Sequence, residues 1–311
     1  MSKNNSFKFW YLYLSIKLKY LAIQFNLLLR KISYIKAFND FLVRTYHKIF
    51  LRKFVKKWLR KNEEGVIMFD FNGAKLPDVS SDLDTLRLLS IIFEDTFLIP
   101  CHYNNNHNKS LVEKLDKNMM EGPYGITDGV FDVTVKEGDI VIDVGAWIGD
   151  FSAYATSKGA VAYAFEPVHD TFQILKETVK LNNNKIYPIQ KGLGDKECEL
   201  LIYKDLYNSG TNTIIPKENR TKETIAITTL DKFVKENNIN RIDFIKADIE
   251  GAERDMLKGA AWVLKNFAPK LAICTYHLPD DPQVLEKLIL EANPNYTVKH
   301  LRHKLFAMVV K

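Results

Sequence analysis

Cysteine is scarce in this 311-residue chain: Cys101, Cys198 and Cys274 lie far apart and form no C-x-x-C pair. That excludes a disulfide framework and a cysteine-built zinc site, and it fits buried, inert thiols in a reducing cytoplasm. Glycine and proline are missing from residues 1–61, so nothing interrupts helices there. Acidic residues are nearly missing too. That stretch carries fifteen Lys and Arg against one acid, Asp40, a net of +14, while the rest carries 29 against 37, a net of −8. No long charge-free apolar run occurs: Phe9 to Leu29 is broken by Lys17, Lys19, Gln24 and Asn26, which makes a poor membrane span. No small-residue cleavage site follows it, so it does not read as a signal peptide. The G-x-G-x-x-G fingerprint is absent, which argues against a turn wrapped around a pyrophosphate. There are no internal repeats and no low-complexity linker. At 46% apolar and 26% charged residues, the chain suits one large globular domain with an appendage.

The basic appendage is the first feature present. At 100° per residue, Leu51, Phe54, Val55, Trp58 and Leu59 share one face, and Arg52, Lys53, Lys56, Lys57, Arg60 and Lys61 share the other. Such a helix can lie on an anionic bilayer, placing a cytoplasmic protein peripherally on the membrane, or it can pack on its own domain with the basic face solvated. The two readings stand level. Nucleic acid fits less well, because the aromatics lie on the apolar face and not among the charges. Residues 62–130 read as a small α/β lead-in, with a strand over 66–71, a hairpin turn at Asn72-Gly73 and a helix over 81–94. The polar loop from Cys101 to His107 contains histidines but no recognised ligand spacing. Glu121 to Gly125 is a turn placed to fold over a ligand pocket.

Residues 131–311 alternate strands and helices, the pattern of a doubly wound α/β sheet. Strands are expected at 139–144, 161–166, 186–190, 242–247 and 270–276, with two more near 296–300 and 304–310. Helices are expected at 150–158, 170–181, 230–237, 253–260 and 282–290. A hairpin of 198–203 with 211–215 is expected as an insertion, with a further strand at 224–227. Asp150, Thr229 and Asp281 read as helix N-caps, and Asp170 to Gln173 as a capping box.

The organising stretch is Gly138 to Phe151. A short apolar run, Ile140 to Ile142, suits a strand buried on both faces. It ends in Asp143, after which Gly145 and Gly149 flank a tight turn into a helix whose N-terminus offers free N–H groups. An acid pointing into the pocket suits a ligand carrying an ammonium group, as S-adenosylmethionine does. The next strand, Val161 to Phe165, ends at Glu166, close to the ~20-residue offset at which a strand-end acid meets ribose hydroxyls.

A second cluster follows in Ile242 to Glu253. Asp248 ends a strand next to the cofactor strands and should face the pocket, as ligands in such sheets sit at strand carboxyl ends. Lys246, Asp248 and Glu250 share parity along the extended chain. Glu253 reads as a helix first-turn acid, and Lys246 as a partner in an internal ion pair. His277 ends the following strand, where a histidine can take a proton from a hydroxyl near neutral pH. Arg302 and His303, at the last hairpin, are either surface groups or contacts for an acidic or sugar substrate. Carboxylates and imidazole can share a metal, but no ligand spacing requires one and none is assigned.

Three motifs, Asp143-Val-Gly145-Ala-Trp-Ile-Gly149, Ala164-Phe165-Glu166-Pro167 and Lys246-Ala-Asp248-Ile-Glu250-Gly251-Ala252-Glu253, resemble those of the FkbM family of S-adenosylmethionine-dependent methyltransferases. The resemblance runs over about residues 120–311, on through Leu257 to Ala260, and leaves the basic appendage outside it. Trp147 stands where many members have Asn. The resemblance implies a Rossmann-like methyltransferase sheet and transfer of a methyl group to a hydroxyl, often on a sugar or polyketide, so the acceptor is a small molecule or glycan. It places Asp143 and the turn Gly145, Ala146, Trp147 and Gly149 at the methionine end of the cofactor. Glu166 falls at the ribose, Gln190 and Gly192 beside the adenine, and Asp248 between cofactor and acceptor. Asp248, Glu250 and His277 orient or deprotonate the acceptor. The alternative is a non-catalytic cofactor-binding or membrane-associated scaffold of the same fold.

Overall fold

The computed structural model describes residues 51–93, 101–102, 124–183, 185–205, 209–218, 220–301 and 303–310. The expectations for residues 1–50, most of the Cys101–His107 loop, Glu121 to Pro123 and Arg302 lie outside them.

The amphipathic stretch is helical over 51–58 and leads into β1 (Leu59–Lys61), which pairs antiparallel with β2 (Ile67–Phe71); β2 turns at Asn72-Gly73 into β3 (Ala74–Pro77). Strand pairing therefore crosses residue 61, where the sequence placed a boundary. Helix α2 (Leu83–Phe93) follows, the helix over 51–58 being α1. Leu51 and Phe54 are buried against Phe69, Phe71 and Phe93, and Val55 and Trp58 pack on the same cluster. Ring centroids in this cluster lie 4.8–5.9 Å apart, each pair worth about 0.5–1.5 kcal/mol beyond its buried area. The face that the sequence offered to a bilayer is thus covered by the protein itself. Arg52, Lys53, Lys56, Lys57, Arg60 and Lys61 remain exposed. No helix among the described residues is long and apolar enough to cross a membrane.

Short strands β4 (Cys101–His102), β5 (Ile126–Thr127) and β6 (Asp132–Val133) precede the main sheet. That sheet is built from β7 (Ile140–Val144), β8 (Val161–Phe165), β9 (Ile186–Ile189), β13 (Phe244–Ala247), β14 (Lys270–Cys274), β15 (Tyr296–Leu301) and β16 (Lys304–Val309). Its order is β15-β16-β14-β13-β7-β8-β9, with β14, β13, β7, β8 and β9 parallel and the last two strands antiparallel. The chain runs outward from β7 in one direction and returns to its other side at β13, so the switch point lies between these two strands.

Period-two alternation splits the core. Ile142, Val144, Ile245 and Ala247 face one side, under α5 (Leu230–Glu236), α6 (Glu253–Lys258), α7 (Ala261–Asn266) and α8 (Asp281–Ala292). Val141, Ala162, Phe244 and Ala272 face the other, under α3 (Asp150–Ser157) and α4 (His169–Leu181). The N-terminal cluster continues into this second layer: Trp147, Ile148 and Ala153 belong to it, and the Asn182 side-chain amide hydrogen-bonds the backbone of Lys75 at 2.6 and 3.1 Å.

Several local expectations change. β11 (Cys198–Lys204) pairs with β12 (Thr221–Thr228), itself flanked by β10 (Gly192–Leu193); residues 211–215 contribute only a bridge from Thr213 to Tyr203. The reason is length, since β12 offers seven partners where 211–215 offers one. Thr229 caps α5 as expected, accepting from Lys232 N. Asp150 and Asp281 are the first helical residues, after caps at Gly149 and Asp280, and α4 begins at His169 without a side-chain cap. Residues 261–266 form a helix where the sequence pattern placed none.

Candidate active site

The register places Val144, Phe165, Ile189, Ala247 and Ile273 in one row across the parallel strands. The next residues are Gly145, Glu166, Gln190, Asp248 and Cys274, so the positions singled out in the sequence line up along one carboxyl edge. His277 follows three residues after β14, which returns it to the same edge.

At the centre of the row the backbone alternates through left-handed conformations at Gly145, Trp147 and Gly149, with φ of 72°, 48° and 86°. A Cβ on Gly145 would sit 2.1 Å from the Asp248 carbonyl oxygen, so only glycine lets the two strand-end loops touch. Trp147 is not glycine and carries strain there. It is held by its backbone N–H on Glu166 Oε2 at 3.0 Å and its indole N–H on Ser209 Oγ at 2.9 Å. Glu166 Oε1 accepts from Val168 N–H at 2.9 Å and the Thr171 hydroxyl at 2.8 Å. Burial nevertheless pushes its carboxyl up to about 7. Asp150, buried at the first turn of α3, is likewise pushed up to about 6 by desolvation, against the attraction of Lys246.

Asp143 is fully buried and does not open to the edge. Lys246 stands opposite it in register, with Nζ 3.2 Å from Asp143 Oδ1 and bound to the Gly145 carbonyl at 2.6 Å. Ser152 on α3 donates to Asp143 Oδ2 at 2.6 Å. The expected meeting of Asp143 with a ligand ammonium is therefore replaced by an internal ammonium, that of Lys246. Burial would lower the Lys246 pKa, but Asp143, Asp248 and Asp150 together raise it.

The surroundings of Asp248 differ. Asp248 Oδ2 accepts from the Tyr124 hydroxyl at 2.6 Å, and Oδ1 from the Tyr276 hydroxyl at 3.3 Å. Burial works against its charge, yet Lys246 and His277 hold it below the usual carboxylate range. His277 is enclosed, with its side chain 4% exposed: Nε2 lies 3.5 Å from Asp248 Oδ1 and 3.7 Å from Glu250 Oε1, and Nδ1 lies 2.9 Å from Glu253 Oε1. None of these approaches has hydrogen-bond geometry. Burial opposes the imidazolium, but Glu250, Glu253 and Asp248 outweigh it and push the ring up to about 11. At neutral pH His277 therefore already holds its proton and is not a free base, contrary to the sequence expectation. Glu250 has φ of 52° and is followed by Gly251 at 104°. Its carbonyl accepts from the Thr213 hydroxyl at 2.7 Å.

Gln190 is exposed, with Nε2 3.5 Å from His169 Nδ1, and Gly192 enters β10, where a Cβ would meet Ile227 at 2.6 Å. His303 is exposed, 5.9 Å ring to ring from Tyr276. The sequence missed Tyr124 and Tyr276 as partners of Asp248, and Glu253 as a partner of His277. The turn before the core was the one available signal for Tyr124. The edge is rich in carboxylate acceptors; His277 faces Asp248, Glu250 and Glu253, and Lys246 is buried against carbonyls and Asp143. That donor set fits a hydroxyl-bearing, positively charged ligand better than a pyrophosphate.

A family model described as Methyltransferase FkbM domain matches residues 143–305, which take in the whole edge. The hexuronic acid methyltransferase AglP of Haloferax volcanii is 28% identical over 158 residues, covering 50% of this chain and 64% of its own length. Methyltransferase 1 of Beauveria bassiana is 27% identical over 156 residues, covering 42% of this chain and 63% of its own. A solved methyltransferase FkbM from Methylobacillus flagellatus aligns with a TM-score of 0.44 at 23% identity, over 56% of this chain and 44% of its own. Each of these matches spans less than two thirds of the relative's length.

Proposed function

Because the chain belongs to the methyltransferase FkbM family, we propose that it transfers a methyl group from S-adenosylmethionine to a hydroxyl of a sugar, glycan or related small molecule. The observation that carries this is the strand-end row, in which the Gly145–Gly149 turn and Glu166 stand on one side of Asp248, and Glu250 and His277 on the other. The name of the Haloferax volcanii relative supports a sugar acid among the acceptors.

In this reading the turn from Gly145 through Ala146 and Trp147 to Gly149 holds the methionine end, and Glu166 has one Oε2 lone pair left for a ribose hydroxyl. Gln190 and Gly192 border the base, and Asp143 acts by fixing Lys246 and Ser152. S-adenosylmethionine supplies a methyl group on a positively charged sulfur. Asp248 and Glu250 accept the acceptor hydroxyl and orient it, and a carboxylate of this pair receives its proton. His277, protonated, holds the two carboxylates together. Positioning supplies much of the rate. The exposed basic face of α1 meets an anionic membrane by charge, without inserting.

Calorimetry on the full chain tests the cofactor. S-adenosylmethionine or its demethylated product should bind and NAD should not, and Glu166→Ala should weaken binding by about 1.5–3 kcal/mol. A radiolabelled transfer assay on fractionated glycans then separates an enzyme from a scaffold, which would bind without turnover. NAD binding with no adenosylmethionine signal would sink the proposal.

A further inference from the structure

Glu253 is 1% exposed and held in place: Oε1 accepts from Ile249 N–H at 2.9 Å and Oε2 from Gly251 N–H at 3.1 Å. From there it faces His277 Nδ1 at 2.9 Å. The other nitrogen, Nε2, faces Asp248 Oδ1 and Glu250 Oε1 at 3.5 and 3.7 Å. Neither ring nitrogen makes a hydrogen bond, although the side chain is 96% enclosed. A buried imidazole normally satisfies at least one nitrogen, so a ring aimed between two carboxylates without bonding either calls for an explanation.

We propose that Asp248 Oδ1, Glu250 Oε1 and His277 Nε2 form a divalent-cation site, in which the ion displaces the Nε2 proton to solvent while Nδ1–H stays toward Glu253. These three atoms lie within 4.8 Å of one another. Ligand atoms about 2.1 Å from a first-row ion stand about 3 Å apart at right angles and about 4.2 Å apart when opposed, so the observed 3.5 and 3.7 Å need only small adjustments. The surroundings supply the orienting contacts that metal ligands need. Glu253 sits at the distal nitrogen of the imidazole, and Tyr124 pins the distal oxygen of Asp248 at 2.6 Å. Glu250 stands in the turn after β13 with a left-handed φ of 52°, and its carbonyl is held by the Thr213 hydroxyl at 2.7 Å. Three carboxylates around one imidazole also leave an excess of negative charge. Two oxygens and one nitrogen suit Mn²⁺ or a similar ion, with about three of six positions left open. If the methyl-transfer reading holds, those positions receive acceptor oxygens, and an acceptor with two neighbouring oxygens fits best.

Binding of Mn²⁺ alone to the full chain, without cofactor or acceptor, tests this. It is followed by calorimetry and by the loss of free-ion electron paramagnetic resonance signal. One equivalent per chain should bind. His277→Ala and Glu250→Gln should each remove saturable binding, and Glu253→Gln should weaken it about 10–100-fold without abolishing it. His300→Ala, a histidine paired with Glu286 elsewhere on the surface, should leave it unchanged. Glu250→Gln keeps the residue's shape, so a thermal melt on that variant separates lost ligation from lost folding. No saturable Mn²⁺ binding, or binding that survives Glu250→Gln in a folded protein, overturns the site. Because no methyl transfer is measured, the site can fail while the enzyme reading stands, and the reverse.

Discussion

Asp143 and Asp248 lie on neighbouring strands of one sheet, and each belongs to an acid-plus-glycine motif, but their surroundings differ. Asp143 is fully buried, with Lys246 and Ser152 on its oxygens. Asp248 is held by two phenols and looks onto an imidazole that faces carboxylates on both nitrogens without a hydrogen bond to them. The same contrast extends outward. Glu166 gives its carboxylate to the backbone of the turn and the start of α4, whereas Glu250 points at His277 from a strained backbone. One half of the edge is held rigid by its acids, and the other half keeps its acids available.

Asp248→Asn should show the largest effect. Turnover should fall about 10²–10⁴-fold, while the stability lost in urea with the charge that faces Lys246 and His277 stays well below that in free energy. A fall in stability of the same free-energy size would erase the distinction. Lys246→Met comes next. It strands the buried carboxylate of Asp143 and should cost about 3–5 kcal/mol in urea unfolding. A loss under about 1 kcal/mol would mean that Asp143 finds solvent or ligand after all, and that the two halves are alike.

Titration gives the smallest and most discriminating test. Glu166 has a folded pKa raised from 4.5 to about 7, so the native state holds its proton more tightly. The resulting stability is fully present below about pH 4.5 and is lost as pH rises to about 7, on the order of 3 kcal/mol at most. Asp150 acts in the same direction between 3.8 and about 6. Glu166→Gln should therefore flatten the slope between about pH 4.5 and 7, most plainly above about pH 6 where Asp150 no longer contributes, read from urea midpoints across that range. Asp248 has the opposite sign: its lowered pKa stabilises above the unfolded value of 3.8 and is lost as pH falls below it. An unchanged slope in Glu166→Gln would place that carboxylate in solvent.

The parallel strands were legible because strands buried on both faces leave short apolar runs, and the acids that end them mark the edge directly. Strand ends mark Asp248 and His277, and Glu250 follows from its parity with Asp248 beside a glycine turn. The inward turn of Asp143 was not placed, since it depends on its register partner Lys246, more than 100 residues away. Tyr124 and Tyr276 were missed because a phenol that donates to a distant carboxylate has no local pattern. The pairing of β11 was misassigned for a related reason, as both candidate partners had strand composition and only the length of the ladder decides between them. The left-handed backbone at Trp147 and Glu250 carried no signal, since sequence marks that conformation through glycine and neither residue is one.

The hydrogen bonds between the Lys75 backbone and the Asn182 amide span 107 residues of chain. Synthesis runs from the N-terminus at about 5–20 residues per second, so the aromatic hairpin emerges about 5–20 s before the residue that fastens it to α4. During that interval Trp147, Ile148 and Ala153 are also still to come, and the face of the hairpin that will back the glycine turn has no partner to cover it. On the ribosome, the hairpin waits for neighbours made about a hundred residues later before either half of the edge can take its shape.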